Sequence, residues 1–386
     1  MESLFVLVKP ASSACNMRCR YCFYADVAGR RSIRNYGMMS PDILAALVEK
    51  ALAETTKACS FGFQGGEPTL AGLDFYRHLI DLEGFHNKNN VRIFHSIQTN
   101  GLAVTPEWAK FWAKNNFLVG ISLDADKRRH DEFRVDAAGK GTHNRCLAAC
   151  RTLNEYKVPY NILAVVTRGL ASHPDKTYWH YRDRGFRHLQ FIPCLDDLGE
   201  GQSGSPHSLD AETYGKFLCR LFDLWLRDYM NGDFVSIRIF DNWIGMLLGQ
   251  PPESCDLIGR CRPYLLVEGD GTVFPCDFYA VDKYRLGNIV RDSVDALMNC
   301  EAANRFAAES VPVHPRCRKC EYYFLCRGGC RRHREPLSEE PSLDMYCESH
   351  RRFFAHALPG MRMVFELLSR RGGGLGHSRA HTGGSS

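Results

Sequence analysis

The chain of 386 residues carries a formal net charge of +5, with 45% hydrophobic and 24% charged residues. This composition is that of an ordinary globular protein, and the length suits a main domain with a smaller appendage. The small net charge, without a dense basic run interleaved with aromatic residues, argues against a nucleic-acid partner. No apolar stretch approaches the ~18 residues that a membrane-spanning helix needs.

The N-terminal segment has a short apolar run from Leu4 to Val8. A secretory signal needs a basic start and about 7–15 apolar residues. Here Glu2 precedes the run, and Lys9 and Pro10 end it. We therefore predict a buried first strand and a cytoplasmic protein.

The first half of the chain alternates short apolar runs with longer amphipathic stretches. This alternation, with strands rich in Val, Ile and Phe, predicts an α/β fold with a parallel sheet. Six such units could form an open or partial (β/α)6 barrel with its active site at the carboxyl ends of the strands. The predicted strands are 4–8, 60–63, 91–97, 118–123, 160–166 and 189–192, and the predicted helices are 41–54, 73–82, 106–115, 144–156 and 176–184.

The second half of the chain has a different residue composition. A Gly/Ser-rich loop at 196–208 leads to a helical stretch at 211–229, and cysteines and turns then dominate residues 255–347. Such a segment has too small a core of its own and would need metal to hold it. We expect a barrel domain at 1–235, a cysteine-rich domain at 236–366 and a disordered tail at 367–386.

The 17 cysteines point to metal or redox chemistry, because a chain of this length needs no disulfide staples. Cys15, Cys19 and Cys22 follow the first strand at spacings x3 and x2. Three thiolates can hold three irons of a [4Fe–4S] cube and leave the fourth iron open to the amino and carboxylate groups of S-adenosylmethionine (SAM). A zinc loop that takes a distant fourth ligand is the alternative.

Polar groups follow the next three strands. Gln64, Gly65, Gly66 and Glu67 come after the second, where glycines permit close approach to a ligand and Glu67 offers an acceptor to an ammonium group. Gln98 follows the third strand, and Ser122 and Asp124 follow the fourth. Each alone could be a turn former. Together they suggest contacts to SAM at one rim.

Eight further cysteines lie near the C-terminus, enough for two complete four-thiolate sites. Gly271 marks a hairpin five residues before one of them, Cys276. Iron–sulfur clusters and structural zinc both suit such sites, and the N-terminal cysteine motif favours iron–sulfur. The cysteines are Cys255, Cys261, Cys276, Cys317, Cys320, Cys326, Cys330 and Cys347.

These motifs resemble the radical SAM enzymes that carry a SPASM extension, and among them the anaerobic sulfatase-maturating enzymes. The likeness runs from about residue 4 to about residue 365 and includes FQGGEPTL, SIQTNG, LQFIPCLD, FPCDFY and CRGGCRR. It implies that the cysteine loop binds the SAM-cleaving cluster, and that the SAM contacts are Tyr24, Gln64, Gly65, Gly66, Glu67, Gln98, Ser122, Asp124 and Leu195. Whether His143, Arg145 or neither meets the SAM carboxylate stays open.

The resemblance also implies two auxiliary [4Fe–4S] clusters. One would be bound by Cys255, Cys261, Cys276 and Cys330, and the other by Cys317, Cys320, Cys326 and Cys347. We interpret the remaining cysteines as mostly small buried hydrophobes. They are Cys59, Cys146, Cys150, Cys194, Cys219 and Cys300.

The implied reaction is oxidation of a cysteine or serine in an unfolded sulfatase segment to Cα-formylglycine. A 5′-deoxyadenosyl radical would remove a Cβ hydrogen, and Asp277 resembles the family's catalytic base. A flavodoxin- or ferredoxin-like protein would donate the electron.

Two alternatives stay open. Another SPASM enzyme would form thioether or carbon–carbon crosslinks in a peptide, although the first cluster cysteine at residue 15 leaves no room for a separate recognition domain before it. A zinc-stabilised binding protein would be colourless.

Overall fold

The structure, a computed structural model, describes residues 1–200, 205–337 and 340–370. The strands are β1 Ser3–Val8, β2 Ala58–Phe63, β3 Arg92–Thr99, β4 Phe117–Ser122, β5 Tyr160–Val166, β6 His188–Pro193, β7 Ser236–Ile237, β8 Leu265–Val267, β9 Thr272–Phe274 and β10 Gly287–Asn288. The helices are α1 Phe23–Gly29, α2 Pro41–Ala53, α3 Leu73–His86, α4 Pro106–Lys114, α5 Lys127–Phe133, α6 His143–Glu155, α7 Arg168–Ala171, α8 Pro174–Arg182, α9 Ala211–Met230, α10 Arg238–Leu247, α11 Val294–Asn299, α12 Glu301–Ala308, α13 Pro315–Arg318, α14 Tyr323–Cys326 and α15 Cys347–Arg370.

All strands belong to one sheet, in the order β10-β9-β8-β1-β2-β3-β4-β5-β6-β7. The six strands from β1 to β6 are neighbours in sequence order and pair in parallel, which confirms the predicted partial barrel. Within the described ranges β10 and β7 are the two edges, so the sheet is open. The predicted strands and crossover helices each match an observed element within a few residues.

Local sequence explains where the crossover helices begin. Ser40 and Thr105 each precede a proline, and their side chains accept a hydrogen bond from the backbone amide three residues later. Such caps satisfy amides that have no partner inside the helix. The helices then bury apolar side chains such as Leu47 and Trp112 against Val6 on the sheet, in one continuous core.

The cysteine-rich segment extends this sheet. β8 pairs in parallel with β1, and β9 returns antiparallel to β8. The predicted hairpin is present at Gly271, whose φ of +83° lies in the left-handed region that glycine tolerates. Leu7 of β1 packs with Leu266 and Phe274 of the hairpin in a small second core. The carboxyl end of β1 therefore lies beside the start of the C-terminal segment.

The end of the chain packs back on the barrel domain. α15 lies along α9, and the two approach so closely that a Cβ on Gly360 would come within 2.6 Å of the Leu226 side chain. The predicted tail begins inside α15, which continues to Arg370, and residues 371–386 lie outside the described residues. The predicted loop at 196–208 has no helix or strand in its described part, and residues 201–204 lie outside it. Among the described helices, none is both long enough and apolar enough to cross a bilayer.

Candidate active site

The cysteine loop lies between β1 and α1, at the carboxyl end of the sheet. The Cys15 sulfur accepts a hydrogen bond from the Met17 amide at 3.3 Å, and the Asn100 side chain approaches it to 3.8 Å. Burial raises the pKa of Cys19 to about 12, with Arg134 opposing the shift and the nearby Cys22 and Cys15 adding to it. The electrostatic effect of Cys22 and Cys15 on Cys19 shows that the three thiols lie close together, as ligands of one cluster would.

The glycine loop after β2 packs directly against the cysteine loop. The Gly66 amide donates to the Ser12 carbonyl at 2.8 Å, and a Cβ on Gly66 would lie 2.0 Å from the Ala14 carbonyl oxygen. No side chain fits at such a contact, so this glycine is required for the two loops to meet.

Glu67 is buried, and its carboxylate is largely committed to protein donors. One oxygen accepts from Thr69 and from the Thr99 hydroxyl, and the other accepts from the Asn100 amide at 2.8 Å. This arrangement ties the ends of β2 and β3 together. The oxygen facing Asn100 accepts one hydrogen bond and so retains acceptor capacity.

At the end of β4 the predicted Asp124 forms a buried ion pair that the sequence did not indicate. Arg134 donates to both Asp124 oxygens at 2.9 and 3.3 Å, and the Tyr21 hydroxyl donates to one of them. Burial alone would lower the pKa of Arg134, but Asp124 and Tyr21 raise it well above its usual value. Beside them the Gln98 amide donates to the Ser122 hydroxyl at 3.1 Å.

The open choice between His143 and Arg145 gains no support from the structure for either residue. The His143 ring lies 3.2 Å from the Ala125 carbonyl oxygen in the interior, and the half-exposed Arg145 pairs with Asp136 at 3.5 Å. The buried cation at the cysteine rim is Arg134. Its signal in the sequence was indirect, since a buried Asp124 needs a cationic partner.

Leu195 lies two residues beyond the end of β6 and is buried. The preceding residue, Cys194, packs with Tyr21 and Phe133. The structure therefore places Leu195 at the same rim as the Asp124 ion pair.

Asp277, immediately after β9 and Cys276, reaches the end of β1. The fully buried Lys9 ammonium pairs with one of its oxygens, and the Gln64 side chain donates to the other at 3.1 Å. Lys9 also lies 3.2 Å from the centre of the Tyr24 ring, whose hydroxyl donates to Glu268 at 2.6 Å. Sequence analysis missed Lys9, whose only signal was a charge at the end of a buried strand.

The predicted SAM contacts therefore divide between two sides of the rim. Tyr24 lies on the side of Asp277, and its ring and hydroxyl are both engaged by protein partners. Gln64 connects the two sides because it belongs to the glycine loop and binds Asp277.

The C-terminal cysteines fall into two groups by mutual proximity. In one group, burial raises the pKa of Cys330, and the nearby Cys255 and Cys276 raise it further. Burial also raises the pKa of Cys276, and Cys255 and Cys261 add to that rise. In the other group, burial raises the pKa of Cys326 to about 12. The nearby Asp344, Cys347 and Cys317 contribute smaller increases in the same direction.

Each group contains cysteines from one of the ligand sets that the resemblance implied, and the assignment of ligands to clusters stays a prediction. Cys320 joins the second group through Cys317, since burial and then Cys320 raise the pKa of Cys317. In the described part of the chain, no three Cys, His, Asp or Glu side chains converge closely enough to enclose a single metal ion. Four of the six remaining cysteines are buried as expected, while Cys219 and Cys300 are partly exposed.

Comparisons with known proteins find matches to both halves of the chain. A model of the radical SAM superfamily matches residues 10–178, and a model of the SPASM iron–sulfur cluster-binding domain matches residues 259–321. A cysteine-type anaerobic sulfatase-maturating enzyme of Clostridium novyi is 45% identical over 96% of this chain and 100% of its own length. A serine-type enzyme of Bacteroides thetaiotaomicron is 29% identical over 96% of this chain and 93% of its own. The solved structure of native anSMEcpe with bound AdoMet and Cp18Cys peptide superposes with a TM-score of 0.91 at 42% identity, covering 95% of this chain and 99% of that one.

Proposed function

Because the chain belongs to the anaerobic sulfatase-maturating enzymes of the radical SAM superfamily, we propose that it oxidises a cysteine in a sulfatase segment to Cα-formylglycine. The enzyme binds SAM and three [4Fe–4S] clusters. The cysteine residues grouped in the structure would hold those clusters, one group at the N-terminal loop and two in the C-terminal segment. When bound, the cluster of the N-terminal loop and SAM supply the radical that removes a hydrogen atom from the substrate Cβ.

The choice of cysteine as the substrate residue rests on the relatives. Identity is 45% to the cysteine-type enzyme and 29% to the serine-type enzyme over a similar share of the chain. A bound peptide named Cp18Cys in the solved relative is consistent with this choice.

The observation that carries the mechanism is the buried carboxylate of Asp277 beside the cysteine rim. Loss of a Cβ hydrogen atom to the adenosyl radical, of the thiol proton, and of one electron to the auxiliary clusters that the C-terminal cysteines would hold would convert the cysteine side chain to a thioaldehyde. Water then replaces sulfur by oxygen and releases hydrogen sulfide. Asp277 would accept the thiol proton, a role suited to a positioned carboxylate.

The neighbours of Asp277 orient that carboxylate. Lys9 and Gln64 each hold one of its oxygens, so the group is fixed before the substrate arrives. Gln64 belongs to the loop that packs on the cysteine loop through Gly66. The proton acceptor and the SAM-binding rim are thereby held at a constant separation.

The proposal is tested with a peptide of about twenty residues containing Cys-x-Pro-x-Arg, with a matched serine peptide as control. Under anaerobic conditions with dithionite and SAM, we expect an aldehyde from the cysteine peptide, detected by mass spectrometry and hydrazide reactivity. Deuterium placed at Cβ should appear in 5′-deoxyadenosine. A thioether crosslink, or deuterium transfer only from Cα, would assign the enzyme to the crosslinking class instead.

A further inference from the structure

The second group of C-terminal cysteines lies at the surface under a cluster of positive charges. Cys317, Cys320 and Cys347 are partly exposed. Around them Arg318 and Lys319 are exposed. Two aromatic side chains of the same segment, Tyr323 and Phe324, are 38% and 52% exposed. We call Arg318, Lys319, Arg327, Tyr323 and Phe324 the cationic patch.

The charges of this patch are not neutralised within the protein. Its sequence neighbours Arg316 and Arg331 are paired with Glu348 and Glu309, each at 2.7 Å. Among the described residues, by contrast, no carboxylate forms an ion pair with Arg318, Lys319 or Arg327. Glu321 is the exposed acid of the same segment, and the three cations without a carboxylate partner among the described residues outnumber it. With the two exposed rings beside them, they form a surface complementary to an acidic protein.

Arg327 also occupies a backbone position where glycine is preferred. It ends α14 with a φ of +52°, in the left-handed region, and its amide donates to the Tyr323 carbonyl at 2.8 Å. A side chain in this conformation costs about 1–2 kcal/mol relative to glycine. Two glycines follow immediately, so glycine is common in this turn, yet an arginine stands at the strained position. We infer that the arginine side chain has a function there.

We propose that the cationic patch is the docking surface for an acidic one-electron carrier protein of the flavodoxin or ferredoxin kind. This inference rests on the proposed function, in which one electron must enter for SAM cleavage and one must leave the substrate. In the entering direction the reduced carrier loses one electron and the clusters bound by the enzyme gain it. The patch surrounds the cysteine group nearest the surface, where a carrier can approach.

The sulfatase segment fits this surface less well. A Cys-x-Pro-x-Arg segment carries a positive charge that the patch would repel. The reacting cysteine must also reach Asp277, whose side-chain partners are Lys9 and Gln64 at the strand ends.

The test compares charge reversal in the patch with the same charge change elsewhere. The patch variant is Arg318→Glu with Lys319→Glu. The control is Lys88→Glu with Lys114→Glu, two exposed lysines that precede β3 and β4 and so lie near the amino ends of two central strands. The probe is a flavodoxin of net negative charge, and its affinity for the holoenzyme is measured by fluorescence anisotropy over a range of salt concentrations.

At low salt the patch variant should bind flavodoxin at least tenfold more weakly than wild type, and its salt dependence should be smaller. The control should bind like wild type. Flavodoxin-driven SAM cleavage should show the same order, while dithionite-driven cleavage and iron content stay unchanged. Phe324→Ser should weaken binding mainly by faster dissociation.

Equal weakening in the patch variant and the control would overturn the proposal, because it would show only a general charge effect. An unchanged flavodoxin affinity with a raised KM for the peptide would assign the patch to the substrate instead. Failure of the proposed function is seen separately, as absence of formylglycine in the dithionite-driven wild-type reaction.

Discussion

Asp277→Asn tests the proposed base, but the structure shows that this change has a second effect. The same carboxylate is the ionic partner of Lys9, which is fully buried. Removing one partner of a buried ion pair typically destabilises a protein by about 3–5 kcal/mol. Loss of a general base costs about 10²–10⁴-fold in rate, which is also roughly 3–5 kcal/mol of activation free energy.

Since the two effects have similar size, a single substitution does not separate them. The double variant Lys9→Met with Asp277→Asn removes both charges and leaves no buried ion without a partner. We expect each single variant to lose stability by about 3–5 kcal/mol, and the double variant to regain most of it. Formylglycine formation should stay about 10²–10⁴-fold below wild type in the double variant, because the proton acceptor is still missing.

The assay measures three quantities on the anaerobic holoenzyme: the urea midpoint, the rate of SAM cleavage and the formylglycine formed per SAM cleaved. The ratio of product to cleaved SAM isolates the step that needs the base. Recovery of normal peptide modification in the double variant would refute the role of Asp277 as base. An undisturbed urea midpoint in Lys9→Met would refute the structural importance of the ion pair.

Three further predictions follow from the structure. Reconstituted protein should hold about twelve irons, and alanine at the three cysteines of the N-terminal loop should abolish SAM cleavage while about eight irons remain, as iron and sulfide analysis would show. Gly66→Ala should impair SAM cleavage severely, because its Cβ would lie 2.0 Å from the Ala14 carbonyl oxygen, whereas Gly84→Ala, with nothing within 4 Å, should leave cleavage intact in the same assay. Burial raises the pKa of Asp241 to about 7, so the folded protein holds a proton that the unfolded chain loses near its ordinary value of 3.8. This contribution to stability is present below pH 4 and is lost as pH rises to about 7. The free energy of unfolding of the wild type should therefore fall by an amount on the order of 4 kcal/mol across that window, and urea titrations of Asp241→Asn should not show this fall.

The sequence was sufficient for the parallel half of the fold because strand and helix patterns there repeat with clear periods. Each predicted strand from residue 4 to residue 192 is present, and polar residues after the strands do lie at one rim. Periodicity did not indicate that β8 would pair with β1, because β8 has only three residues and its pairing depends on contacts far apart in sequence. The hairpin at Gly271 was predicted, but its pairing with the barrel sheet and the edge strand β10 were missed.

The candidate site was predictable in its residue types and less so in its pairings. Asp124 and Asp277 stood out as acids near motifs, whereas their partners Arg134 and Lys9 did not. Lysine and arginine residues usually lie at the surface, so the sequence around these two did not predict that they would be buried. Only the three-dimensional structure shows which cation neutralises which buried acid.

The continuous sheet has a consequence for how the two halves of the enzyme work together. Asp277 follows β9, which pairs with β8; β8 pairs with β1, and β1 leads within a few residues to Lys9 and the cysteine loop. Hydrogen-bonded strands therefore connect Asp277, the proposed proton acceptor, to the cysteine loop that would hold the SAM-cleaving cluster. The Lys9–Asp277 ion pair also joins the end of β1 to the segment after β9 directly, through their side chains. A displacement of about 1 Å at a reacting group can cost 10²-fold in rate. If Asp277 is the base, as we propose, this construction would hold it in place although it lies on a segment distant in sequence. Asp277 is distant from Lys9 along the chain, and the pairing of β9, β8 and β1 brings the two side chains into contact.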